Sequence, residues 1–77
     1  MDNSKYGKTL DVRGLPPPEP MEHILDALVD LSLGDTLCVH IHREPIPLYE
    51  ILLRQGYKYQ TKQLGEDNFQ ILISHNR

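Results

Sequence analysis

Seventy-seven residues with 39% hydrophobic content make one small domain, near the lower limit for a chain that folds on its hydrophobic core alone. Eight basic against eleven acidic residues give a net charge of −3. That argues against a nucleic-acid partner, because affinity for phosphate backbones rests on basic residues that release counterions. The single cysteine, Cys38, excludes an internal disulfide.

Residues 1 to 8 hold no apolar run, and no stretch approaches the roughly 20 apolar residues that span a bilayer. No signal peptide and no membrane span are therefore expected, and a cytoplasmic location is the default. Residues 1–7 read as a flexible lead-in and residues 8–77 as a single domain. Lys8 to Val12 alternate, with Leu10 and Val12 on one side, as in a short strand. Gly14-Leu15-Pro16-Pro17-Pro18-Glu19-Pro20 follows, and so many prolines fit neither a central strand nor a helix interior. They predict a stiff loop that delivers the chain into a helix, with Pro20 in the first turn where its missing N–H costs nothing.

From Met21 the period changes. Met21, Ile24, Leu25, Leu28 and Leu31 form an amphipathic stripe, Glu19 and Glu22 suit the positive helix start, and Gly34 is the expected stop. Thr36 to His42 alternate again, with Leu37, Val39 and Ile41 on one face and Thr36, Cys38, His40 and His42 on the other. Pro45 and Pro47 begin a second helix carrying Leu48, Ile51 and Leu52, which Gly56 ends. Tyr57 to Gln63 is rich in strand formers, Gly65 to Asn68 reads as a turn, and Phe69, Ile71 and Ile73 alternate as a last strand in a hairpin.

The order is β-α-β-α-β-β. Right-handed crossovers put the first two strands parallel and both helices on one face of the sheet. The expected fold is an α+β two-layer sandwich, a four-stranded mixed sheet whose other face is open to water or to a partner.

Leu10-Asp11-Val12-Arg13-Gly14-Leu15 followed by Pro17-Pro18-Glu19-Pro20 resembles the leader of TusA/SirA-like sulfur-carrier proteins, in which a strand and Gly-Leu lead to a Cys-Pro-x-Pro motif. Leu33-Gly34-Asp35-Thr36-Leu37 and Glu44-Pro45 also resemble family segments, and the likeness covers about residues 9 to 74. Pro17 occupies the position of the family's persulfide-carrying cysteine, and proline has no nucleophilic atom. The resemblance is therefore to a cysteine-free branch of small bacterial domains of unknown function, some fused to hemerythrin-like iron-binding domains. That association implies redox or nitrogen-oxide physiology by analogy alone.

Candidate chemistry lies in three places. Arg13, Gly14, His42, Arg43 and Glu44 follow the two parallel strands, so they should meet at one sheet edge beside two helix N-termini, where ligands of open α/β sheets bind and anions are attracted. A small anion or an acidic group of a protein partner is the expected ligand, and the alternative is a surface Arg–Glu pair with capping loops. Cys38 sits mid-strand without an obvious base, which suits a structural cysteine better than a replacement sulfur carrier. His40 and His42 are the residues a metal- or haem-associated redox module would use, but zinc normally wants three or four protein ligands, so no metal or cofactor is expected. No Ser-His-Asp arrangement, phosphate loop or carboxylate pair is present, and a non-enzymatic binding or accessory module is the favoured function.

Overall fold

A computed structural model describes residues 7–76, so residues 1–6 of the expected lead-in lie outside the described residues. The elements are β1 (Gly7–Asp11), α1 (Glu19–Val29), β2 (Thr36–Ile41), α2 (Ile46–Arg54), β3 (Tyr57–Gly65) and β4 (Asn68–His75). The strands lie in the order β1-β2-β4-β3. β1 and β2 run parallel, while β4 is antiparallel to both β2 and β3. This is the β-α-β-α-β-β mixed sheet that the alternating and 3.6-period segments predict.

The alternation of β2 is why the sheet has a wet and a dry face. Leu37, Val39 and Ile41 are buried, whereas Thr36, Cys38 and His40 are half-buried on the other side. Ile71 and Ile73 of β4 join the dry face, and Ile24 and Leu28 of α1 meet Leu48 and Leu52 of α2 above it. All of these residues form one cluster, which places both helices on the same face. Such a core stabilises through removal of apolar area from water, at about 25 cal/mol per Å².

Some boundaries differ from the sequence reading, each for a local reason. α1 begins two residues before its apolar stripe because the Glu19 and Glu22 amides donate to the carbonyls of Pro16 and Pro18 at 3.0 and 3.1 Å. It ends at Val29 rather than at Gly34. The Asp30 amide caps the last turn, and buried Leu31 enters the core from the loop. Gly34 instead turns the chain into β2 with a φ of +92°, a left-handed conformation that glycine adopts without strain. The β3–β4 turn is also tighter than expected, since Gly65 and Asn68 still pair across the strands, past a register irregularity between Gln63 and Gly65. Gly56, with φ +86°, follows α2 as the sequence indicates.

Candidate functional site

Because β1 and β2 are parallel, the chain leaves both at the same edge of the sheet and loops into α1 and α2. The two loops are joined by one bond: the Gly14 amide donates to His42 Nδ1 at 3.2 Å. An N–H can only donate, so His42 Nδ1 is the acceptor in this contact. Gly14 reaches this position with φ +84°, again left-handed. His42 lies one residue past the end of β2, which frees its ring to turn across to the first loop.

Arg13 is directed elsewhere. Its guanidinium folds back on its own strand, with Nε and an Nη 2.9 and 2.8 Å from the Asp11 carboxylate, while its amide donates to Asp11 Oδ1 at 3.1 Å. Those bonds hold the Asp11 carboxyl well below the usual carboxylate range and raise the guanidinium in turn. The pair is largely exposed, so it contributes little to stability. Arg43 is different, because among the described residues it has no ion-pair partner.

Glu44 accepts a hydrogen bond from the Tyr49 hydroxyl at 3.0 Å, and that hydroxyl lies 2.6 Å from Thr61 Oγ1 of β3. The Tyr49 ring stacks on Tyr59 with centroids 4.2 Å apart and planes 5° apart. Burial pushes the Tyr49 hydroxyl above its ordinary value; the Thr61 hydrogen bond opposes this and Glu44 adds to it. One side chain thereby ties the α2 surface to the outer strand and fixes the Glu44 carboxylate. The sequence reading missed this network. Its only linear signals are the i, i+5 spacing of Glu44 and Tyr49 and the alternation of Tyr57, Tyr59 and Thr61.

Between the loops is a cleft of about 250 Å³. Leu15, Pro17, Pro18 and Met21 line it from the β1–α1 side, and His42, Arg43, Glu44 and Pro45 from the β2–α2 side. Ile24 and Ile41 reach it from the core. Gly14 and Pro16 border the adjoining hollow with Pro17, His42 and Arg43. Thus Gly14, His42, Arg43 and Glu44 converge here, together with Pro17, while the Arg13 guanidinium is occupied by Asp11.

The helix starts beside this cleft offer few donors to an anion. Pro16, Pro17, Pro18, Pro20, Pro45 and Pro47 have no N–H. The Glu19, Glu22, Ile46 and Leu48 amides are spent on the carbonyls of Pro16, Pro18, Glu44 and Pro45. Glu19 and Glu22 add negative charge at the start of α1. The attraction a bare helix N-terminus exerts is therefore largely used up, and Arg43 is the group left to receive a negative charge.

On the open face, Cys38 Sγ lies 3.8 Å from His40 Nε2, and Gln70 Nε2 donates to the same sulfur at 3.4 Å. His40 is thus the near base that the sequence reading of Cys38 lacked; residues two apart on a strand share a face. His40 and His42 do not converge, since one ring meets Cys38 and the other Gly14. His75 Nε2 is 2.8 Å from the Leu31 carbonyl, and His23 is exposed on α1. Among the described residues no group of three or more His, Cys, Asp and Glu side chains could hold a metal ion. Nor is any described helix long and apolar enough to cross a membrane.

These features define a small α+β sandwich with an apolar cleft outside the carboxyl ends of two parallel strands. The chain belongs to the DUF2249 family of uncharacterised conserved proteins, whose family model matches residues 9–75 and so takes in both loops of the cleft. No curated protein matches the chain.

Proposed function

We propose that this protein is a non-catalytic binding module of TusA/SirA-like architecture, and that its cleft receives an apolar side chain of a partner protein flanked by a carboxylate. The observation that carries the reading is the make-up of the walls: Leu15, Pro17, Pro18 and Met21 give an apolar side, and exposed Arg43, without an ion-pair partner among the described residues, stands on the other. Size supports it too. A cleft of about 250 Å³ is below the roughly 300–1,000 Å³ of small-molecule and cofactor sites, and suits one or two side chains. The prolines make a stiff wall, so little conformational entropy is lost when a partner docks. Pro17, at the position of the sulfur carriers' cysteine, leaves the cleft without a thiol, which favours holding over sulfur transfer.

N-acetyl-leucine, an apolar side chain beside a carboxylate, is the minimal probe. In a ¹H–¹⁵N NMR titration it should shift the Leu15, Met21, Arg43 and Glu44 amides first, and N-acetyl-leucinamide should shift them less at equal concentration. Equal responses to the two probes, or shifts centred on Cys38 and Leu72, would contradict the reading.

A further inference from the structure

The geometry points to a second site, on the open face of the sheet and outside the cleft lining: Cys38 and His40 form half of a zinc site that a second copy of this chain completes. The two groups converge because they are i and i+2 on β2 and both face away from the helices. Their separation is the one a shared metal requires. With zinc–sulfur bonds of about 2.3 Å and zinc–nitrogen bonds of about 2.05 Å at a tetrahedral angle, sulfur and nitrogen lie about 3.6 Å apart. Here Cys38 Sγ and His40 Nε2 are 3.8 Å apart, with the Nε2 lone pair free to point at the metal when Nδ1 carries the proton. Gln70 Nε2 donates to the sulfur at 3.4 Å, a contact that helps to fix where the sulfur points. Asp11 is in register beside His40 on β1, while Lys58 and Lys62 lie on β3, two strands away from β2.

Two ligands do not make a protein zinc site, which normally has three or four, and no third candidate stands within reach among the described residues of the same chain. A two-fold mate supplies the missing pair. Facing sheets pack about 10 Å apart, and a cysteine sulfur with one zinc bond extends about 5 Å from its strand, so a metal midway is reached from both sides. The middle of the open face, on β2 and β4, is half-buried and carries Leu72 beside Cys38, giving apolar contact around such a centre. Binding forms one Zn–S and one Zn–N bond per chain and releases the Cys38 thiol proton to solvent; nothing is oxidised or reduced.

The test uses the reduced full chain and zinc chloride, with light scattering after gel filtration and metal analysis of the eluted protein. The expected result is a doubling of mass with about one zinc per two chains, reversed by EDTA. Cobalt in place of zinc should show the intense visible bands of a tetrahedral thiolate site. Cys38→Ser and His40→Ala, each with an unchanged circular dichroism spectrum, should stay monomeric, while His42→Ala should still dimerise. A monomer at every zinc concentration, a one-to-one monomeric complex, or dimerisation that survives Cys38→Ser overturns the proposal.

Discussion

Removing one oxygen atom tests how the cleft wall is held. In Tyr49→Phe the ring still stacks on Tyr59 at 4.2 Å, but Thr61 Oγ1 and Glu44 lose the hydroxyl that lies 2.6 and 3.0 Å from them. A net hydrogen bond contributes about 0.5–1.5 kcal/mol, and Glu44 is exposed enough for water to replace its share, so a loss of about 1 kcal/mol is expected. At about 2.1 cal/mol/K per residue, a chain of 77 residues has an unfolding entropy near 0.16 kcal/mol/K, so Tm should fall by about 6 °C. Tyr49→Ala removes the stack as well and should cost about 2–3 kcal/mol. Urea unfolding followed by circular dichroism measures both variants, provided the m-value stays constant. The sign of the pH effect is also fixed. A hydroxyl raised in the folded state contributes stability below the unfolded value, near 10, and that contribution disappears as pH rises through the folded value. The wild type should therefore lose more stability above about pH 10 than Tyr49→Phe does. A neutral Tyr49→Phe, or a Tyr49→Ala no worse than it, would refute the network.

Two further outcomes follow from particular residues. Asp11 is depressed by Arg13, so its contribution is present above the unfolded carboxylate value near 4 and is lost as pH falls toward the lower folded value. Acid unfolding of Asp11→Asn should be slightly shallower than wild type between about pH 4 and pH 2, and a steeper Asp11→Asn curve would contradict the pairing. Pro17 is exposed at the cleft, so Pro17→Cys in a Cys38→Ser background should keep the fold and react with iodoacetamide faster than the half-buried Cys38 of the wild type. Loss of structure would show instead that the proline loop is needed to start α1.

The fold was legible because periodicity reports burial directly. β2 could be read from Leu37, Val39 and Ile41 alone, since a strand wet on one side must alternate. Helix ends were harder, because the stop of α1 depends on where the chain must turn to deliver Leu31 into the core rather than on the nearest glycine. Of the expected edge site, topology brought Gly14, His42, Arg43 and Glu44 together, since parallel strands end on the same side. The orientation of Arg13 was not legible: a carboxylate two residues back competes locally with any site and leaves no mark on hydrophobic patterning. The apolar nature of the cleft was hidden for a related reason. Leu15, Pro17 and Met21 read as loop and helix residues until the second loop is folded against them. The Cys38–His40 contact needs side-chain rotamers, which strand alternation does not specify.

The claim that the cleft holds an apolar side chain beside a carboxylate turns on Arg43, the one arginine or lysine that lines the cleft, which has no ion-pair partner among the described residues. Reversing that charge is the most direct measurement. Wild type and Arg43→Glu are titrated with N-acetyl-leucine, which is anionic, and with leucinamide, which is cationic, and the Leu15 and Met21 amides are followed by NMR. The wild type should bind N-acetyl-leucine more tightly and Arg43→Glu should bind leucinamide more tightly, by a factor of about 3 or more each way, as expected of a partly exposed ion pair worth up to about 1 kcal/mol. An unchanged order of the two probes in Arg43→Glu, with both still shifting Leu15 and Met21, would contradict the role given to Arg43. The absence of any shift at those amides with either probe would contradict the cleft itself.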